Sequence, residues 1–190
     1  MAWLITGLVL FFAPHSVAVV GAEWRDRTIA RLGEGPWKGL YALLSAVGLA
    51  LIIWGYGEAR MAPVVIYAPP VWLRHVTLLL MVFVFPLLLA AYLPGRIRRA
   101  TKHPMLAAVK IWALAHLLAN GMLADVVLFG TFLAWAVADR ISLKRRAPRD
   151  IPALPATAAN DAIAVVGGLA LYVLFLLWLH QWLFGVSPIS

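Results

Sequence analysis

The chain has 190 residues, 64% of them hydrophobic and 13% charged, and a formal net charge of +8. Soluble domains run near half apolar and a quarter charged, so a water-soluble globule is excluded and a bilayer is the implied solvent. Cysteine is absent, which excludes disulfides, thiolate metal sites, cysteine nucleophiles and covalent C-x-x-C-H haem attachment.

The expected fold is all-α: an integral membrane bundle of about six transmembrane helices in one domain over residues 1–190. The first helix is expected over Ala2–Val20. It lacks a positive n-region and a small-x-small cleavage site, so it reads as a retained helix. Trp24–Leu32 reads as a short interfacial helix ending at Gly33. A second span is expected over Lys38–Gly57 and a third over Val71–Leu93. The apolar run from Met105 to Ala138 is too long for one span. The turn dipeptide Asn120-Gly121 divides it into a hairpin, Pro104–Asn120 and Met122–Ala138. A linker over 146–161, with Pro148, Pro152 and Pro155, precedes a last helix over Ala162–Phe184.

The basic residues alternate with these spans. Arg25, Arg27, Arg31 and Lys38 follow the first span, and Arg96, Arg98, Arg99 and Lys102 follow the third. Arg140, Lys144, Arg145, Arg146 and Arg149 follow the fifth, whereas the opposite side carries Arg60 and Arg74. The positive-inside rule places the basic loops in the cytoplasm and both termini in the periplasm. With no nucleic-acid motif present, the charge reads as a topology signal and an attraction to anionic headgroups, not as nucleic-acid binding.

Polar groups inside a membrane are costly, so each is a functional candidate. The candidates are the five histidines, Lys110, Asn120, Asp125 and Asp139. In the fourth helix His103 and Lys110, seven apart, share a face, whereas Trp112, His116 and Asn120 form another stripe. His15 lies within Pro14-His15-Ser16 in the cytoplasmic half of the first helix, and His103 at the cytoplasmic end of the fourth. His75, His116 and His180 lie toward the outer side. Neutral imidazoles from facing helices hold haem or metal in helical cores. Depth pairs His75 with His116. Asp125 would accept the second ring N–H of His75 or His116, or form an ion pair with Arg74. His180, between Trp178 and Trp182, reads as an interfacial belt residue, and Asp139 as a local partner of Arg140. Lys110, mid-helix, calls for a buried partner such as a cofactor carboxylate. No G-x-S-x-G, H-E-x-x-H, Walker or dinucleotide motif is present.

Several segments together resemble the NnrU family of bacterial membrane proteins, most distinctly over residues 1–146. They are Pro14-His15-Ser16, Trp24-Arg-Asp-Arg, Gly33-Glu-Gly-Pro-Trp-Lys-Gly-Leu-Tyr41, Pro70-Val-Trp-Leu-Arg-His75, Lys102-His-Pro-Met105, Lys110–His116, Leu118-Ala-Asn-Gly121 and Ala138-Asp-Arg140. The family includes the plastid zeta-carotene isomerase, a haem b protein. Its His-Ser motif resembles His15-Ser16, and its His-Pro and Ala-His resemble His103-Pro104 and Ala115-His116. The resemblance therefore implies non-covalent haem b with His15 and His116 as axial ligands. His75 stays open as the alternative to His15, and Lys110 or Arg98 would hold a propionate. A further histidine of the isomerase falls near Trp135, a departure that bears against isomerase activity.

Three functions compete. The first is an inner-membrane haem b protein of nitric oxide and denitrification metabolism, sensing the gas or supporting expression of the reductase. The second is a haem-dependent isomerase of a membrane polyene or other apolar lipid. The third is a cofactor-free accessory protein whose buried polar groups specify helix packing.

Overall fold

The computed structural model describes residues 1–146 and 154–189. It is helical throughout its spans. The helices are α1 (Ala2–Val20), α2 (Ala22–Leu32), α3 (Glu34–Met61), α4 (Leu73–Met81), α5 (Val84–Tyr92) and α6 (Arg96–Thr101). They continue as α7 (Pro104–Ala119), α8 (Leu123–Ser142) and α9 (Ala158–Leu174), then a π-helical turn over Phe175–Leu179 and α10 (His180–Phe184). Of the linker expected over 146–161, residues 147–153 lie outside the described residues, and its end, from Ala158, already belongs to α9.

Four stretches are long and apolar enough to cross a membrane: Ala2–Val20, Glu34–Met61, Leu73–Tyr92 and Ala158–Phe184. The molecule is thus a helical membrane protein. Two of the six expected spans do not meet that standard. Helix α7 has 16 residues, about 24 Å at 1.5 Å per residue, against a hydrocarbon core of about 30 Å. Helix α8 has 20 residues but carries Asp125, Asp139 and Arg140.

The chain divides into two compact units. The first comprises Met1–Tyr67 and Met122–Pro148, the second Ala68–Gly121 and Arg149–Ser190.

In the first unit α1 packs along α3 at glycines. A Cβ on Gly7 would stand 2.6 Å from the Ile52 backbone nitrogen, and one on Gly48 2.5 Å from that of Phe11. Gly55 meets the Leu4 backbone more closely still. Without a hydrophobic driving force in lipid, such close backbone approach is how helices gain dispersion contact. Helix α2 is the expected short helix. It ends at Gly33, whose φ of +86° suits glycine. After α3 the chain is extended, and Val64 C=O accepts from Leu123 N–H at 2.8 Å, joining this stretch to the start of α8.

In the second unit the expected single span Val71–Leu93 is broken at Val82-Phe83. Pro86 explains the break. It has no N–H for the Val82 carbonyl, and its ring crowds that residue. Phe83 N–H instead bonds three residues back, to Leu80 C=O at 3.2 Å. Helix α9 crosses α5 where Gly168 faces the Pro86 backbone without a side chain between them. Thr77 donates to Ala115 C=O at 2.8 Å, tying α4 to α7. Tyr172 donates to Leu78 C=O at 3.0 Å, tying α9 to α4.

Candidate functional site

The ties around α4 leave a cavity of about 220 Å3 inside the second unit, open on one side. His116, Asn120, His180 and Arg74 supply its polar lining, and Leu78, Phe85, Phe175 and Leu176 much of its apolar wall. His116 belongs to α7, and its Nδ1 donates to Trp112 C=O at 2.8 Å, one helical turn back. The Asn120 side chain donates to His116 C=O at 2.9 Å.

His180 reaches the same cavity by a longer route. The π-turn over Phe175–Leu179 adds a residue to the helical turn and re-aims the residues beyond it. Gly185 then adopts a left-handed conformation, φ +70°, and reverses the chain. The reversed tail brings Val186 C=O to His180 Nδ1 at 2.7 Å, and Val186, Ser187 and Pro188 close one side of the cavity. A carbonyl can only accept, so Nδ1 carries the proton in both histidines, and in the neutral imidazoles Nε2 is the basic nitrogen. His180 was expected to be a belt residue. The sequence signal for its position is the Gly185 helix stop five residues later, which turns the tail back.

The other candidates lie elsewhere. His75 has an exposed side chain, and it does not line the cavity although its neighbour Arg74 does. His103 occupies the N-cap position of α7 ahead of Pro104, without a side-chain capping hydrogen bond. Lys110 is half-buried in mid-α7 and does not line the cavity either. Arg98 lines a separate groove with Arg99 and Lys102.

His15 sits in the first unit, within an aromatic cage. Its ring stacks on Phe11 at 4.3 Å between centroids, with Tyr41 at 4.9 Å and Trp135 at 5.8 Å. Phe132 packs on Phe11 and Phe12 in the same cluster. His15 Nδ1 donates to Phe11 C=O at 2.6 Å. Trp135, the position of the departure from the isomerase, is thus a direct neighbour of His15. Its indole N–H is buried, with no hydrogen-bond partner among the described residues.

Asp125 is 4% exposed. One oxygen accepts the Tyr56 hydroxyl at 2.6 Å and the other the Met122 N–H at 3.1 Å, so the carboxylate caps α8 and ties it to α3. Within the first unit these are the partners its side-chain oxygens engage, where the sequence offered a histidine or Arg74. In the loop beyond α3, burial and then the Asp125 charge hold the Tyr67 phenol above its ordinary value. Asp139 pairs with Arg146 instead of the expected Arg140. Adjacent residues on a helix point about 100° apart, whereas the turn after α8 brings Arg146 back over Asp139.

No curated protein and no solved structure matches this chain. The family described as NnrU protein matches residues 3–188, including α9, α10 and the returning tail as well as the segments that carry the sequence resemblance. The chain belongs to the NnrU family of membrane proteins.

Proposed function

We propose that the protein is a haem b protein of the bacterial inner membrane, acting in nitric oxide and denitrification metabolism as a gas sensor or in support of reductase expression. Its basic loops face the cytoplasm and both termini the periplasm. The observation that carries the haem reading is a cavity of the second unit lined by both His116 and His180.

The donor set fits the group. Each imidazole has Nδ1 tied to a backbone carbonyl, the arrangement that fixes the tautomer and orientation of a ligating histidine. Arg74 on the same wall suits a carboxylate, and Met81 adds a thioether. The enclosed 220 Å3 is below the roughly 300–1,000 Å3 of closed small-molecule pockets. The open side makes the site better suited to a group held at its edge than to one fully enclosed. When bound, haem would supply a redox-active iron able to take a diatomic gas. The chain's own residues orient the two basic nitrogens and exclude water with the Leu78, Phe85 and Phe175 side chains. His116 is common to this pair and to the pair implied by resemblance; His180 takes the place of His15 or His75. Arg74, in place of Lys110 or Arg98, is the propionate partner.

The open apolar wall also favours a second reading, an isomerase that admits a polyene from the bilayer, and Trp135 in place of histidine weighs against it. The test of haem is the visible spectrum of detergent-purified protein from haem-replete cells, oxidised and then dithionite-reduced. A reduced Soret and alpha band is expected, lost in His116→Ala. A colourless wild-type protein overturns both haem readings and leaves a cofactor-free accessory protein. Spectral change on adding nitric oxide, against isomer change on adding cis-polyenes, then separates sensor from enzyme.

A further inference from the structure

The segment between α5 and α7 is short and basic, yet firmly held. Asp161, in the first turn of α9, accepts the Arg96 N–H at 2.8 Å and the Ile97 N–H at 3.1 Å, engaging both carboxylate oxygens at the start of α6. Asn160 donates to Pro94 C=O at 2.8 Å and to Pro155 C=O at 2.9 Å. Gly95 sits so close to the Asp161 carboxylate that any Cβ there would collide with it. At the other end Thr101 donates to Ile97 C=O at 2.8 Å. Lys102 takes φ +61°, a left-handed conformation uncommon for a residue with a side chain.

This frame presents Arg98, Arg99 and Lys102 around a groove of about 430 Å3, completed by Pro94, Gly95 and Ala156. Among the described residues no carboxylate forms an ion pair with any of the three. Asp161, whose charge reaches Arg99, has both oxygens on backbone amides. Three cations held in one concavity repel each other unless an anion joins them. The groove directly follows the apolar span that ends at Tyr92, whose side chain is 70% exposed. An exposed aromatic at a span end marks headgroup depth. The anion available there is the phosphate of an acidic glycerophospholipid.

We infer that the Arg98–Arg99–Lys102 groove is a binding site for the phosphate headgroup of an anionic membrane phospholipid. Asp161 and Asn160 are its positioning residues, since they hold α6 without touching the headgroup. The site is independent of the haem reading.

Asp161 gives the inference a sharp test. Removing its charge makes the protein more positive. If lipid were held by diffuse charge, Asp161→Ala would bind it more tightly; if by a framed site, more weakly. Delipidated full-length protein in detergent would be titrated with phosphatidylglycerol, phosphatidylcholine and inorganic phosphate, and bound species counted by native mass spectrometry. Phosphatidylglycerol is expected to bind and phosphatidylcholine not. Each of Arg98→Gln, Arg99→Gln and Lys102→Gln should weaken binding about fivefold, the effect of removing one cation near a charged membrane surface. Arg25→Gln with Arg31→Gln on α2 should leave it unchanged. Asp161→Ala, with helicity checked by circular dichroism, should weaken it. Equal losses from the α2 and groove variants, or tighter binding by Asp161→Ala, would overturn the site. Saturation by inorganic phosphate with no preference for the lipid would overturn the lipid as its occupant.

Discussion

Asp125 illustrates why a buried charge in lipid needs more than one partner. It joins the Tyr56 hydroxyl to the Met122 amide, and its carboxylate stands at the positive end of α8. Asp125→Ala would leave both donors without the carboxylate at a part-buried site. Leaving a buried donor unmade costs about 1–3 kcal/mol each. The variant should lose several degrees of thermal stability in detergent, and Tyr56→Phe, which removes one hydrogen bond, should lose clearly less. His15 is the opposite case. Its ring is packed by Phe11, Tyr41 and Trp135, so we expect His15→Ala to act through packing. It should lower the melting temperature and leave the reduced Soret band in place. His180→Ala should remove that band with little change in stability. A band lost in His15→Ala and kept in His180→Ala would restore the ligand pair implied by resemblance.

At the scale of elements, two devices set the geometry. The first is the glycine seam of α1 and α3. A methyl group at Gly48 would meet the Phe11 backbone, which cannot retreat as a side-chain tip can. Overpacking of this kind costs about 1–3 kcal/mol. Gly57 lies in the same helix with nothing within 4 Å of its missing Cβ. Gly57→Ala should therefore be neutral or stabilising by up to about 1 kcal/mol, whereas Gly48→Ala lowers the melting temperature measured by circular dichroism. The second device is the π-turn. Deleting Leu177 removes the extra residue and restores α-helical register. Five π-helical residues sweep about the angle of four α-helical ones, so helicity and the Soret band should both be kept. Inserting an alanine after Leu179 instead should rotate His180 by about 100° and abolish the band; a band that survives the insertion would show that helix register does not position the ligand.

For the whole molecule, topology turns on the path of the chain between the third apolar span and the last. A hairpin of α7 and α8 that crosses twice puts Met122 outside; one that stays on the cytoplasmic side puts it inside. Native cysteine is absent, so single-cysteine labelling is clean. Met122→Cys should react with a membrane-impermeant maleimide in spheroplasts, as Ala62→Cys should. Thr28→Cys and Ala100→Cys should react only after lysis. Met122→Cys labelled only after lysis would reduce the topology to the four spans that length and apolarity support.

Much of this protein is legible in one dimension. Mean composition excludes water as the solvent, apolar runs locate the spans, and Gly33 stops α2 where a left-handed residue is needed. The family, too, is carried by local segments, and the match extends over residues 3–188. These features survive in sequence because each depends on residues close in the chain. The break at Val82-Phe83 was readable in principle, since Pro86 is a local cause. What only the tertiary structure decided is which polar groups meet. Asp125 finds Tyr56 across 69 positions, and Asp161 reaches back to α6 across 65. His180 joins His116 because a π-turn shifts its register and a left-handed glycine folds the tail back. Burial makes a partner necessary at Asp125. Which partner it is depends on helix rotation and chain reversal, and those are set by packing between segments far apart in the chain.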